Sequence, residues 1–266
     1  IMLGTLNSPG ITRIIAKKSR NHTEILFKYL KIPISVRKTK NFDFIKVNGK
    51  KNFTSFNYNI PSDISSSAFF IVLTLLSNNS SLTIRNVNIN SSRIGSIYIL
   101  NKMGAKIKLK NIKNYRGERV ADIFVKSVKS YKAINCPKKY NSSAIDEFLI
   151  IFLIAAKAKG VSYFKDLAEL NQKESPRLKL GSKILNMIGI KTKLTNESIK
   201  IYGQPNLELN KNYEIKNYLK DHRIFMMATI ASLTLGGNWK IHDPDSIKTS
   251  FPSFLKIIKK LGGKIN

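Results

Sequence analysis

Residues 63–70 read Asp-Ile-Ser-Ser-Ser-Ala-Phe-Phe, a polar cluster that leads directly into an apolar stretch. Aspartate and serine side chains can accept hydrogen bonds from the free amides of a first helical turn, so the pattern predicts the start of a buried helix. Two later segments repeat it: residues 142–148 read Ser-Ser-Ala-Ile-Asp-Glu-Phe, and residues 221–227 read Asp-His-Arg-Ile-Phe-Met-Met. Three such starts in one chain indicate a fold built from repeated units.

The same succession of elements follows each predicted helix. A turn comes first, then an alternating run typical of a strand, then a second helical pattern that ends at a glycine. The turns lie at residues 77–79, 159–160 and 236–237, the strand-like runs at 81–87, 161–167 and 238–243, and the glycines at Gly104, Gly189 and Gly262. The glycines recur about every 80 residues, which is too long for a solenoid repeat and suits a βαβαββ unit. We therefore predict one α/β domain of three such units over residues 59–266.

Residues 1–58 hold less than one full unit. Residues 21–30 follow a helical pattern, and residues 35–47 lead to a turn at Asn48-Gly49 with strand-like residues around it. We interpret this part as the tail of a second, similar domain, with the boundary near residues 55–59.

Composition limits the class of protein. Hydrophobic residues make up 42% of the chain, which is enough for a packed core. The longest apolar run, residues 148–156, is far shorter than the roughly 20 residues of a membrane-spanning helix. The single cysteine, Cys136, cannot form a disulfide within the chain, so we expect a passive thiol and a reducing, cytoplasmic location.

The charge balance is strongly basic, with 46 Lys and Arg residues against 16 Asp and Glu residues and a formal net charge of +30. A field of this sign attracts nucleic acids or small anions. The basic residues are scattered or paired, without a long run interleaved with aromatic residues, which is typical of biased composition. The charge therefore favours small anionic substrates, and a basic nucleic-acid-binding module is the alternative.

The triplet Asp221-His222-Arg223 begins the first helix of the third unit. Histidine exchanges protons near neutral pH, and arginine offers a planar fork to a phosphate or a carboxylate. The amides and the positive dipole end of the helix favour an anion at the same place. An ordinary helix cap with two exposed side chains is the competing interpretation.

The run Lys173-Glu174-Ser175-Pro176-Arg177 precedes the second helix of the middle unit, with Arg177 in its first turn. A carboxylate between two cations is held ionised and oriented, which suits proton transfer beside a bound anion. A solvated charge cluster at a helix entry would give the same pattern.

Two further polar segments lie at predicted helix starts. Asp146 and Glu147 fall in the first turn of the apolar helix of the middle unit, where an acid can simply favour the helix dipole. Ser19 and Arg20 precede the helix predicted over residues 21–30, and could bind a phosphate or merely belong to a cap. The three histidines are scattered and no glycine-rich nucleotide loop occurs, so we expect neither a metal nor a cofactor.

Taken together and in this order, these segments resemble those of 5-enolpyruvylshikimate-3-phosphate synthases. The matching stretches are SPGITRIIAKKSRNHTE (8–24), PSDISSSAFF (61–70), LNKMGAKI (100–107), IDEF (145–148), ELNQKESPRL (169–178), DHR (221–223) and SFPSF (250–254). They cover nearly the whole chain in collinear order, which is more specific than any single motif.

The resemblance implies an inside-out α/β protein of two similar domains, each with three βαβαββ units. Residues 1–58 would be the remnant of the first domain and residues 59–266 the second. The implied enzyme transfers the enolpyruvyl group of phosphoenolpyruvate to the 5-hydroxyl of shikimate 3-phosphate and releases phosphate. On this basis we expect a C-terminal fragment that is inactive alone, and a protein that is monomeric when complete and not bound to a membrane.

The resemblance also implies three catalytic residues. Asp146 would be the base for the sugar hydroxyl, and Glu174 would handle the proton at C3 of phosphoenolpyruvate. Lys173 would contact shikimate 3-phosphate and the reacting centre.

Five substrate-binding residues follow from the same resemblance. Arg177, His222 and Arg223 would clamp phosphoenolpyruvate. Ser19 and Arg20 would bind shikimate 3-phosphate.

Overall fold

The computed structural model describes residues 1–49 and 55–265. After a short 3-10 turn at Met2–Asn7, the first group of elements is strand, helix, strand, strand. Its members are β1 (Ile11–Lys17), α1 (His22–Tyr29), β2 (Ile34–Lys38) and β3 (Phe42–Asn48). Strand β3 lies between β1 and β2 and is antiparallel to both. Residues 35–47 therefore form two strands with a turn between them. The strand-like residues expected just after Gly49 lie partly outside the described residues.

The second group repeats this arrangement and adds a helix before it. Its members are α2 (Ile64–Leu76), β4 (Ser81–Asn88), α3 (Gly95–Lys102), β5 (Lys106–Tyr115) and β6 (Glu118–Lys126). Strand β6 lies between β4 and β5 and is antiparallel to both, as β3 is to β1 and β2. Ser62, just before α2, forms a parallel bridge with Val87 in β4.

The third group has the same order. Its members are β7 (Tyr131–Lys132), α4 (Asn141–Ala144), α5 (Phe148–Ala156), β8 (Ala158–Lys159), β9 (Val161–Phe164), α6 (Arg177–Met187), β10 (Thr192–Leu194) and β11 (Ile199–Tyr202). Strand β11 lies between β9 and β10, and β7 pairs with β8 in parallel.

The fourth group contains the first half of the same sequence of elements. Its members are β12 (Leu209–Ile215), α7 (His222–Leu235), β13 (Gly236–Ile241) and α8 (Phe254–Lys260). Strands β12 and β13 pair in parallel, on either side of α7 in the chain. The predicted α/β class is confirmed, and its helix–strand–helix succession appears in each of the last three groups.

Helices α2, α5 and α7 pack against one another at the centre of the fold. Every residue of α5 is buried, so its sequence, FLIIFLIAA, has no polar face and the helix can lie only inside the protein. The small sheets lie outside this helical core. A separate small core forms among Phe27, Ile32, Ile45 and Val47. The division of the chain at residue 58 stays a prediction.

Glycines end the second helix of each of the last three groups, as predicted. Gly104, Gly189 and Gly262 have φ angles of 97°, 83° and 92°, the left-handed region that glycine enters without a steric cost. The predicted turn at Gly236-Gly237 is wrong, because both residues belong to β13. A Cβ atom on Gly236 would lie 2.6 Å from the carbonyl oxygen of Leu209, so glycine lets the two parallel strands meet closely.

The helix expected to begin near Ser142 is interrupted. Helix α4 ends at Ala144 and α5 begins at Phe148, so Asp146 and Glu147 lie in the turn between them and not inside a first helical turn. The side chain of Glu147 does not cap α5 and instead bonds to Ser65 in α2. Within residues 1–49 and 55–265, none of the helices combines the length and apolar character needed to cross a bilayer.

Candidate active site

The N-terminal ends of α2, α5 and α7 meet at one place. Ser65, in the first turn of α2, donates a hydrogen bond to Glu147 just before α5. Arg223, in the first turn of α7, donates from Nη1 to the main-chain oxygen of Asp146 at 2.8 Å. Helix N-termini carry free amides and a partial positive charge, so three of them together favour bound anions.

The carboxylate of Asp146 lies at the centre of a group of cations. Arg20 forms an ion pair with its Oδ2, and Lys173 Nζ lies 3.6 Å from its Oδ1. Arg177 Nη1 lies 3.8 Å from the same oxygen. Burial opposes ionisation, but the charges of Arg223, Lys173 and Arg20 outweigh it and lower the pKa of Asp146. Asp146 is therefore ionised at neutral pH.

Arg177 and Asp221 form a buried ion pair beside this group. Arg177 Nε lies 2.9 Å from Asp221 Oδ2, and the two side chains are 1% and 0% exposed. Ser175 donates a hydrogen bond to the same oxygen at 2.7 Å, and the Arg223 amide donates to Oδ1 at 2.8 Å. Burial would raise the pKa of Asp221, but its bonds with Arg177 lower it. Asp221 thus caps α7 and also fixes Arg177, a role that the sequence interpretation did not assign.

Glu174 lies at the exposed edge of the cluster, with 58% of its side chain accessible. Its Oε2 is 2.5 Å from Arg177 Nη2. The prediction that Glu174 lies between Lys173 and Arg177 is only half right, because Lys173 points away to Glu169 at 2.8 Å and to Asp146. The carboxylate that several cations surround is that of Asp146.

His222 and Arg223 occupy the first turn of α7, as predicted. His222 is the first residue of the helix and is half-buried. Burial, and then the charge of Arg223, lowers its pKa, so its imidazole is neutral at neutral pH. Arg223 itself is held by its bond to Asp146 O, which aims its guanidinium at the same group of side chains.

Ser19 and Arg20 come from the first group of elements, in the exposed loop between β1 and α1. Arg20 reaches across to Asp146, and Ser19 lies beside it in the chain. His22 Nδ1 lies 2.5 Å from Glu118 Oε1. Asn90 Nδ2 donates to Asn21 at 2.9 Å and to Glu118 at 3.1 Å. The loop is therefore tied to the part of the chain that contains α2.

A second set of polar residues lies behind Asp146, and the sequence did not predict that its members bond to one another. Glu147 is 3% exposed and accepts a hydrogen bond from Ser65. Arg93 donates from Nη2 to Ser65 Oγ and to Asp63 Oδ1, both at 2.7 Å. Asp63 in turn caps α2 by accepting from the amide of Ser66. The helix-start pattern pointed to Asp63, but nothing in the local sequence marks Arg93.

The structure brings seven of the eight predicted site residues into one cluster, and the eighth, Ser19, is the exposed neighbour of Arg20 in the chain. Among the described residues, there is no group of three or more His, Cys, Asp or Glu side chains arranged to hold a metal ion. Cys136 is buried, and burial raises its pKa to about 11, as suits a structural thiol.

Comparison with known proteins identifies relatives over almost the whole chain. The sequence profile described as "EPSP synthase (3-phosphoshikimate 1-carboxyvinyltransferase)" matches residues 1–258. A 3-phosphoshikimate 1-carboxyvinyltransferase of Ruthia magnifica subsp. Calyptogena magnifica is 38% identical over 271 residues, covering 100% of this chain and 60% of that protein. One of Staphylococcus aureus (strain COL) is 36% identical over 247 residues, covering 91% of this chain and 55% of that protein.

Solved structures agree with these relatives. An EPSP synthase of Acinetobacter baumannii superimposes with a TM-score of 0.88 at 32% identity, over 98% of this chain and 58% of that one. The enolpyruvyl transferase NikO of Streptomyces tendae, at 13% identity and a TM-score of 0.74, shares the fold. This chain spans about three fifths of the length of the curated relatives it matches. Because the family profile matches residues 1–258 and the relatives are 35–38% identical over almost the whole chain, the chain belongs to the EPSP synthase family.

Proposed function

We propose that these residues form one wall of an active site that transfers the enolpyruvyl group of phosphoenolpyruvate to the 5-hydroxyl of shikimate 3-phosphate. One observation carries the proposal: Asp146, Glu174, Arg177 and Arg223 lie together at the N-terminal ends of buried helices. Two ligands with several negative charges each would find cations and helix ends there. The matched relatives, each named 3-phosphoshikimate 1-carboxyvinyltransferase, support it, and they give the nucleic-acid alternative no support.

The reaction sets three requirements. In the addition step, the hydroxyl oxygen bonds to C2 of phosphoenolpyruvate, the hydroxyl loses its proton and C3 gains one. In the elimination step, the bond from C2 to the phosphate oxygen breaks, C3 loses a proton and inorganic phosphate leaves. The site must therefore accept a proton from the hydroxyl, exchange a proton at C3 and stabilise the leaving phosphate.

Asp146 suits the first requirement. Its carboxylate is ionised and held by Arg20 and Lys173, so it can accept a hydrogen bond from the hydroxyl of the sugar. Its low pKa makes it a weak base for a free hydroxyl. Asp146 can accept the hydroxyl proton once the oxygen begins to bond to C2, because that proton is then far more acidic.

Glu174 suits the exchange at C3. Its carboxylate pairs with Arg177 Nη2, and a substrate carboxylate or phosphate would compete with it for that guanidinium. The Glu174 side chain is 58% exposed and can return to water, so a substrate anion can displace it from Arg177. The exposed Glu174 can then take a proton from water, give it to C3 as a carboxylic acid in the addition step, and accept a proton from C3 as a carboxylate in the elimination step.

The remaining residues hold the substrates. Arg177 and Arg223 present fixed guanidinium groups to phosphoenolpyruvate, and neutral His222 can donate or accept a hydrogen bond beside them. Ser19 and Arg20, in the β1–α1 loop, and Lys173, just before α6, would bind shikimate 3-phosphate. We also infer a monomeric, cytoplasmic protein, and light scattering after size exclusion would test the oligomeric state.

The test uses a fused protein, in which the part of the Ruthia magnifica relative that precedes the matched region is joined to residue 1 of this chain. We expect the fused protein to release phosphate only when both substrates are present. The 266-residue chain alone should give no turnover. A folded fused protein that releases no phosphate, or that releases it from phosphoenolpyruvate alone, would contradict the proposal.

A further inference from the structure

Two neighbouring carboxylates have opposite surroundings. Asp146 faces a group of cations, whereas Glu147 points into the protein, where its described partner is the hydroxyl of Ser65. Buried carboxylates are rare unless they are paired, and an unpaired one costs free energy. Because Glu147 lies directly behind Asp146, a role for this buried carboxylate in holding Asp146 in place would explain that cost.

The hydrogen bonds around Glu147 have a fixed direction. The Arg93 guanidinium can only donate, so Ser65 Oγ accepts from it at 2.7 Å. The Ser65 hydroxyl proton is then free to point at the Glu147 carboxylate. Arg93 also holds Asp63, the cap of α2. The series of hydrogen bonds from Asp63 through Arg93 and Ser65 to Glu147 therefore connects the first turn of α2 to the turn that precedes α5.

Charged groups surround Glu147 on several sides. Arg223 from α7 and Arg93 from the loop before α3 favour its ionised form, and the adjacent Asp146 opposes it. Burial is the largest influence and raises the pKa of Glu147 to about 7. Asp63 is a further carboxylate nearby, and its Oδ1 lies 2.7 Å from Arg93 Nη2.

We propose that Glu147, through Ser65 and Arg93, is a positioning residue that fixes the Asp146 peptide and Arg223 for the transfer reaction. Arg223 holds the carbonyl of Asp146 from one side, and the Glu147–Ser65 bond holds the following residue from the other. The carboxylate of Asp146 can then approach the hydroxyl in one orientation only. Ionised Glu147 is the competent form, because only the carboxylate both accepts from Ser65 and attracts Arg223. The inference rests on the proposed function.

The kinetic test uses the fused protein described above. We expect Glu147→Ala to lower kcat by about 100-fold, since a displacement of about 1 Å costs that much. KM for phosphoenolpyruvate should rise, because Arg223 binds it, whereas KM for shikimate 3-phosphate should change little. In the unsubstituted protein kcat should rise with pH near 7 as Glu147 ionises. Glu147→Gln keeps an acceptor for Ser65 but lacks the charge that attracts Arg223, so its kcat should stay at the low level of the protonated form and should no longer rise with pH. Ser65→Ala should move that rise to higher pH, because the bond from Ser65 lowers the pKa of Glu147. Glu197→Gln, on an exposed loop, is the matched control.

A second measurement uses the 266-residue chain and does not depend on turnover. The infrared band of the protonated Glu147 side chain should disappear as pH rises, with a midpoint near pH 7, and should be absent in Glu147→Gln. In Ser65→Ala the midpoint of this titration should move to higher pH. An unchanged kcat in Glu147→Ala, an unchanged pH profile in Glu147→Gln or an unshifted midpoint in Ser65→Ala would each overturn the inference. Absence of phosphate release by the unsubstituted fused protein would instead reject the proposed function, and the infrared band would still test the link to Ser65.

Discussion

The two ends of the α2, α5 and α7 bundle differ in kind. At the N-terminal ends, carboxylates and arginines form a dense network around Asp146. At the C-terminal ends, a cavity of about 380 Å³ is lined partly by Leu75, Lys157 and Gly236. Carbonyl groups there accept from side chains: Tyr131 OH donates to Leu75 O at 2.5 Å and Lys157 Nζ to Leu207 O at 2.8 Å. The shared direction of the helices brings their positive ends together, and that end carries the charged site.

The largest effect should come from breaking the buried ion pair at the N-terminal end. Arg177→Ala leaves Asp221 charged and buried, and loss of one partner of such a pair costs about 3–5 kcal/mol. We expect this loss in urea unfolding of the 266-residue chain. In the fused protein, phosphoenolpyruvate binding should also weaken.

A double-mutant cycle distinguishes the ion pair from general damage to α6. Asp221→Asn combined with Arg177→Ala should cost less than the two single changes added together, because no unpaired charge remains. The control Lys179→Ala removes an exposed cation from the same helix and should change stability by a few tenths of a kcal/mol. Strict additivity would mean that the pair makes no net contribution.

The second effect concerns turnover at the same end. In the fused protein, Asp146→Ala and Glu174→Ala should each lower kcat by about 100-fold or more and leave substrate binding largely intact, as expected for groups that transfer protons. Steady-state kinetics with each substrate varied in turn would check this. Asp245→Asn, at an exposed carboxylate, should have normal kinetics. Equal kcat in both variants and the unsubstituted protein would show that the proposed roles are wrong.

The third effect is on folding and depends on pH. Burial raises the pKa of Glu147 to about 7, above its value of about 4.3 in an unfolded chain, so the folded state binds its proton more tightly. The resulting stability is complete below about pH 4.3 and is lost as pH rises through 7, and it amounts to roughly 4 kcal/mol. Asp146 and Asp221, whose pKa values are lowered, change stability only below about pH 4. Between pH 4.3 and 7, Glu147→Gln should therefore unfold with a flatter pH dependence than the original chain or Glu197→Gln.

Sequence reasoning found the elements whose signals are local. The caps at Asp63 and Asp221 and the stops at Gly104 and Gly189 depend on residues within one helical turn, so the pattern identified them. The candidate site residues came from chemistry at helix starts and from a resemblance along the chain. Their convergence could not follow from spacing, because it depends on how three helices pack.

The misses share one physical cause. Arg93 and Glu118 act through partners that are distant in sequence, and no local pattern marks them. Asp146 and Glu147 look alike as a pair of acids before an apolar helix. Which of them faces the cations is decided by the turn at residues 145–147 and by Ser65 across the bundle.

The smallest effect should come from the C-terminal end. Lys157 donates to Leu207 O, and burial lowers its pKa. Lys157→Met removes this hydrogen bond but fills similar space, so we expect a loss of about 0.5–1.5 kcal/mol in urea unfolding. Its kcat in the fused protein should equal that of Lys159→Met, an exposed control two residues away. A fall in kcat comparable to that of Asp146→Ala would show that the two ends of the bundle are coupled. An unchanged kcat would mean that the helix ends act separately, with chemistry confined to the end where Asp146 lies.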